Sequence, residues 1–358
     1  MINPKLIVSD LHAHSWSQFS TTDPVSGWNS RLKIILEELL RAAAELKAAG
    51  GDTMIVAGDL FHVRGSIDPE VFNPVHSVFQ EILNRGIKII AIPGNHDLKG
   101  KETTEIGNAM QTLGALEGFQ VVTKTTMIPE LRLVLLPWCA SPDGLRGEIE
   151  RYQTDFGPGA DWGNCDLVIH AGINGVVPGL PDHGLDALEV ASWGFRRVWA
   201  GHHHNFKEMD EGRVISIGAS THQTWGDIGT KAGFILFDDN EVHWRGSNAP
   251  AFVEVNEDTD EDEIPLIVDG NYVRIRGKKM TDSEINLFRK ELIEMGAKGV
   301  RFDIAREVVS ARSAGKPTKA LSLEGSVVKY IDESTMDNKD DVKTLCASLL
   351  VEVHSIAA

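Results

Sequence analysis

Seven residues of metal-binding type fall into short blocks along the chain: Asp10 with His12, Asp59, Asn95, His170, and His202 with His204. Carboxylate, amide and imidazole together suit manganese, iron or zinc better than calcium. Seven ligands are too many for one tetrahedral ion. They fit two ions about 3.5–4 Å apart that share a bridging carboxylate. Asp59 is the natural bridge. Asp10, His12 and His204 then group on one ion, and Asn95, His170 and His202 on the other.

Such distant residues converge only if the elements before them lie side by side. Each block falls just past a β-branched run that reads as a strand: residues 5–9, 53–57, 87–92, 166–169 and 197–200. Ligands of open α/β sheets collect at the carboxyl ends of strands. Within Asp10/His12 and His202/His204 the i, i+2 spacing points both side chains to one face, provided the extended path continues. Residues 31–49 repeat leucine and isoleucine near a 3.6 period and stop at Gly50-Gly51, which predicts a helix. Asp68-Pro69 reads as the cap and first position of a second helix that ends before Gly86. Further strands are expected at 214–217 and 234–237. The early part is βαβ-like and the later part mostly strand. This predicts an α/β chain built on a two-sheet β-sandwich core flanked by helices.

The chain has 358 residues and 39.2 kDa, with 42% hydrophobic and 24% charged residues. That suits a soluble globular protein of more than one piece. No apolar run approaches the ~20 residues that span a bilayer, so no membrane association is expected. Asp10 and His12 arrive before a signal-peptide core could form. Cys139, Cys165 and Cys346 are odd in number and far apart, which argues against a disulfide framework or a cysteine zinc site. A cytoplasmic location is expected. Net charge is 35 − 52 = −17, which argues against simple nucleic-acid binding through a basic surface. Residues 270–320 depart from this, with 12 basic and 6 acidic residues, 12 − 6 = +6. The acidic run 254–263 precedes them and reads as a solvated linker. The expected organisation is a catalytic domain over 1–253, that linker, a small β-α-β capping domain over 264–320, and a C-terminal helical segment over 321–358. In the cap, Thr281 and Glu284 form a capping-box pattern.

The blocks Asp10-Leu11-His12, Gly58-Asp59, Gly94-Asn95-His96-Asp97, His170 and Gly201-His202-His203-His204 resemble those of the calcineurin-like metallophosphoesterases, all five present and in order. The resemblance implies the metallophosphoesterase fold with a small α+β cap and C-terminal helices. It also implies two divalent ions, manganese foremost, and the ligand grouping given above. His96 becomes a general acid for the leaving oxygen, oriented by Asp97. Gly58-Asp59-Leu60-Phe61-His62 more narrowly resembles the SbcD-type nucleases, which act with an SbcC-type ATPase in DNA repair and recombination. Many phosphatase relatives carry aspartate where His62 stands. This implies an exonuclease on duplex DNA and endonuclease on single strands, acting by in-line attack of a hydroxide on phosphorus. His62 would help place the DNA. The length is compatible with bacteriophage relatives.

DNA and an SbcC-like ATPase are therefore the expected partners, with a homodimer left open. The apolar stripes Leu323, Val327, Val328, Ile331 and Val342, Leu345, Leu349, Val353 would either dock that ATPase or pack on the chain's own cap. A metallophosphatase or small-molecule phosphodiesterase on the same site is the alternative enzyme. A non-catalytic scaffold would have lost ligands, and none is missing. His14 and His203 read as spectators. Trp138, Trp193 and Trp199 read as core, while Trp16, Trp28 and Trp225 lie in polar loops that could touch substrate.

Overall fold

The alternating apolar runs become two six-stranded sheets in a computed structural model. It describes residues 3–62, 64–101, 107–157, 161–177, 179, 184–277, 279–305, 322–334 and 338–356. The first sheet runs Val242–Gly246, Gly233–Phe237, Lys5–Val8, Thr53–Ala57, Lys88–Ile92, Phe119–Val121. Its last four strands are parallel, and Gly233–Phe237 returns antiparallel against Lys5–Val8. The second runs Thr126–Ile128, Leu133–Leu136, Asp166–His170, Arg197–Gly201, Val214–Ser216, Lys207–Met209, with four parallel strands between antiparallel edges.

Central strands are buried on both faces, as parallel sheets require. Ile7, Ile55, Ile90 and Ile235 meet Leu133, Val168, Trp199 and Ile215 between the sheets. The alternate residues Leu6, Val8, Met54 and Val56 face helices Ser30–Ala48 and Pro69–Asn84. On the other outer face Val134, Leu167 and Val198 pack with residues of helices Pro142–Phe156 and Ala187–Ser192. The helix starts have local causes. Asn29 accepts the N–H groups of Arg31 and Leu32, and Asp68 accepts that of Glu70. The expected two-sheet α/β architecture is the observed one.

The small third sheet is parallel, ordered Phe252–Val255, Tyr272–Ile275, Gly299–Phe302, with helices Ile264–Val268 and Asp282–Glu294. Its first strand straddles the boundary expected at residue 254. Glu254 is not linker: its carboxylate accepts a 2.7 Å hydrogen bond from Arg274 Nε on the neighbouring strand. The Thr281 capping box is present as expected.

Residues 308–358 form a separate unit, in which helices Leu323–Glu333 and Lys339–Ile356 pack on each other. Ile331 is buried, whereas Leu323, Val328, Tyr330, Leu345 and Leu349 are exposed. The side chain of Val353 lies outside the described residues. Among the described residues no helix is long and apolar enough to cross a membrane.

Candidate metal centre

The ligands converge by a route other than the pleat. Asp10, His12, Asp59 and His202 adopt positive φ values of 51°, 44°, 50° and 100°. Left-handed backbone is uncommon outside glycine and clusters at functional sites. The extended path expected for Asp10–His12 therefore does not continue. Instead the chain after Lys5–Val8 runs beside the chain after Thr53–Ala57. Asp10 N bonds Gly58 O at 3.0 Å, His12 N bonds Asp59 O at 2.9 Å, and Ala13 N bonds Leu60 O at 2.8 Å. Gly58 has φ of 95°, and a Cβ there would sit 2.2 Å from His170 Nδ1. A Cβ on Gly94 would sit 2.2 Å from Asp59 Oδ1. The glycines of these blocks are needed because backbone approaches ligand.

Asp10, His12 and His204 bring ligand atoms within 4.8 Å of one another, as do Asp59, His170 and His202. In the first group His12 Nε2 lies 3.1 Å from His204 Nε2, and Asp10 Oδ1 lies 3.8 Å and 3.9 Å from these nitrogens. Asp59 Oδ2 stands between the groups, 3.6 Å from His12 Nε2 and 3.3 Å from His170 Nε2. Asn95 Oδ1 is 3.0 Å from His202 Nδ1. Two donors about 2.1 Å from one ion, at 90–110° to each other, are roughly 3.0–3.4 Å apart. The 3.1 Å and 3.3 Å separations have that bite.

Asp10 Oδ1 and His170 Nε2 are also buried without a hydrogen-bond partner. Such orphaned polar atoms need an explanation, and a divalent ion supplies one. The donor set therefore fits two ions.

Outer contacts hold these ligands. Ser9 Oγ donates to Asp10 Oδ2 at 2.6 Å, and His202 N donates to the same oxygen at 2.9 Å. His170 Nδ1 donates to Ala57 O at 2.7 Å, which turns Nε2 toward Asp59. His204 Nδ1 donates to Asp227 Oδ1 at 2.7 Å. Asp227 Oδ2 in turn accepts the N–H groups of Gln223 and Thr224 at 2.8 and 2.7 Å. Sequence reasoning missed Asp227. Its only signature is the Thr224–Asp227 capping box of a single turn, which marks a turn and says nothing of a histidine 23 residues earlier.

Electrostatics follow from this wiring. Burial lowers the affinity of His170 for a proton, but the Asp59 charge outweighs it and raises the pKa to about 9. Burial likewise opposes protonation of His204, and Asp227 and Asp10 raise it to about 8. Burial acts to raise Asp59, but His170 and His12 hold it well below the usual carboxylate range. His202, with burial dominant and His170 adding, falls to about 4.

His96 donates its backbone N–H to Asp59 Oδ1 at 2.8 Å, and its ring Nδ1 meets His62 O at 2.6 Å. The His62 carbonyl therefore orients this ring. Asp97, expected in that role, is fully buried elsewhere. Its carboxylate accepts the N–H groups of Phe61 and Gly94 at 2.9 Å each and that of Leu60 at 3.3 Å. It ties the Asn95 loop to the Asp59 loop and so positions a ligand on each. His62 stacks on His96 with centroids 5.3 Å apart, and its Nδ1 is 3.3 Å from His12 Nδ1. Burial, helped by the neighbouring histidines, lowers its pKa to about 4. His14 and Trp16 pack on His62 at 5.2 and 4.5 Å.

Trp199 is core as expected. Trp138 is not core: its half-buried ring leans on His202 at 5.5 Å. Trp225 lies against Phe252 of the third sheet.

Two mixed sheets carrying paired Asp/His clusters at the ends of parallel strands define a metal-dependent phosphoesterase. The profile of the calcineurin-like phosphoesterases matches residues 4–206, and the chain belongs to that family, which uses divalent metals. Exonuclease subunit 1 of Enterobacteria phage T4 is 28% identical over 210 residues, 57% of this chain and 58% of that protein. The chain thus spans little more than half of that relative's length. Structural neighbours include a dimetal phosphatase from Danio rerio, at 11% identity over 68% of this chain and 96% of that one, TM-score 0.39. Another is the nuclease MPE of Pseudomonas putida, at 17% identity over 67% and 87%, TM-score 0.30.

Proposed function

We propose that this phosphoesterase is a DNA nuclease of the SbcD type, working with two manganese ions on phosphodiesters in DNA repair or recombination. The observation that carries the reading is Asp59, whose one carboxylate oxygen stands 3.6 Å and 3.3 Å from histidines of two separate ligand groups. The phage T4 relative, an exonuclease subunit, supports a nucleic acid as substrate. Asp10, His12 and His204 would hold one ion, and Asn95, His170 and His202 the other, with Asp59 shared. Bound there, the ions supply charge neutralisation at phosphoryl oxygens and an acidified water. The chain's own residues do the rest. His96 has its Nδ1 proton committed to the His62 carbonyl, so it is from Nε2, in the doubly protonated ring, that a proton passes to the leaving oxygen. His62 fills the space between His12, His96 and Trp16 and fixes the geometry of that edge.

A chain of charge −17 grips DNA poorly alone, because phosphate neutralisation dominates affinity. The exposed Leu323, Tyr330, Leu345 and Leu349 of the C-terminal helices suit docking to an SbcC-like ATPase that adds the missing grip. The test is incubation of manganese-loaded protein with end-labelled duplex and single-stranded DNA, in parallel with an aryl phosphodiester and an aryl phosphomonoester. Cleavage of DNA and diester with little monoester turnover is expected. Monoester hydrolysis that outpaces both would overturn the reading.

A further inference from the structure

A cavity of about 260 Å³ opens beside the metal centre, between the loop after Leu133–Leu136 and the loop after Asp166–His170. Its apolar walls are Trp138, Pro142, Leu145, Ile173, Val177 and Leu185. His202 lines it too, and His202 also belongs to the ligand group with Asp59 and His170. A molecule seated in the cavity is therefore adjacent to a phosphoryl group held at the ions.

The chemistry of the walls narrows what that molecule is. Among the described residues no Lys, Arg, Asp or Glu lines it, so a second phosphate finds no counter-charge from them. The polar side chains are largely committed elsewhere. Asn174 Oδ1 accepts Gly184 N at 2.8 Å, and Ser141 Oγ accepts Gly144 N at 3.1 Å as a helix cap. His203, read from sequence as a spectator, packs over Gly172 at the rim, where a Cβ would lie 2.9 Å from its Nε2. The volume is just under the range of about 300–1,000 Å³ usual for drug-sized ligands. It suits one flat ring system and part of its sugar. Trp138 offers an aromatic wall and packs against His202 and His170 at 5.5 and 6.0 Å.

We propose that this cavity is a nucleobase pocket, in which the base next to the scissile phosphodiester stacks on Trp138. The inference rests on the nuclease reading and deepens it. Stacking is tolerant of sequence because every base has a π face. With so few uncommitted polar groups, the pocket distinguishes base from no base rather than one base from another.

The test compares an oligonucleotide with the same strand carrying an abasic site at the nucleotide beside the cleaved bond. Stacking lost to alanine typically costs roughly 5- to 150-fold in binding. Wild-type protein should show a KM higher by that order for the abasic strand, with all four bases alike. Trp138→Ala should collapse the ratio of the two KM values toward one, and Trp138→Phe should restore most of it. Val177→Phe, which fills the cavity from the opposite wall, should collapse the ratio with Trp138 in place. It keeps the test alive if Trp138→Ala loses metal or fails to fold. Equal KM values for intact and abasic strands in the wild type would overturn the pocket alone. A wild type that hydrolyses the aryl diester but cleaves neither strand would overturn the nuclease reading and the pocket with it.

Discussion

Replacing Asp227 with asparagine tests whether this residue sets the protonation pattern of a metal ligand. The carboxylate makes three hydrogen bonds as acceptor only: Oδ1 takes His204 Nδ1–H, and Oδ2 takes two backbone N–H groups. An amide has one oxygen and one NH2. Turned to keep the two backbone bonds, it presents NH2 to His204 Nδ1, which must then act as acceptor. The imidazole proton moves to Nε2, the nitrogen that faces His12 and Asp10. An ion must then displace that proton and also does without the nearby charge. Losing an outer partner of a ligating histidine commonly costs 10–100-fold in metal affinity. The wrong tautomer puts Asp227→Asn at the upper end, about 100-fold or ~2.8 kcal/mol. Manganese titration followed by electron paramagnetic resonance should show one of two sites weakened by that factor and the other little changed. Wild-type affinity at both sites would refute the reasoning.

Two more outcomes follow from the same geometry. With chelator present, His170 and His204 have pKa values near 9 and 8, above the ordinary 6.5. Their stabilising contribution is complete below pH 6.5 and is lost as pH climbs through 8 and 9. The chelated protein should therefore melt at lower temperature at pH 9 than at pH 6.5. Manganese, which needs these rings deprotonated, should flatten or invert that slope; a chelated protein more stable at pH 9 would contradict it. His96→Ala should retain manganese and DNA binding while turnover falls ~10²–10⁴-fold, and wild-type turnover would remove His96 from the chemistry.

The candidate ligands were legible because each lies within a few residues of the end of a run that reads as a strand, and the structure brings them close together. The left-handed turns that bring them together were not. Asp and His tolerate positive φ at such positions without any mark in the sequence. Helix Pro142–Phe156 was missed because only Leu145, Ile149 and Tyr152 are buried on it, too sparse a stripe to stand out. Strand Phe252–Val255 was hidden because its last two residues open the acidic run, and charge was read as linker. Asp97 was misassigned because adjacency to His96 suggests contact, whereas the buried carboxylate turns to three backbone N–H groups on neighbouring turns. Asp227 acts across 23 residues of chain, beyond any local pattern.

The donors divide between the two layers of the sandwich. Asp10, His12, Asp59 and Asn95 follow strands of the first sheet, while His170, His202 and His204 come from the second. The centre therefore works as a gauge of how the layers are aligned, since any sliding of one against the other opens both bites together. Misplacement by about 1 Å can cost on the order of 100-fold in rate. Side chains wedged between the layers that ligate nothing themselves, such as Trp199 against Phe237 at 4.5 Å, thereby set the calibration of that gauge. A repacked interior can leave the molecule folded and still detune it.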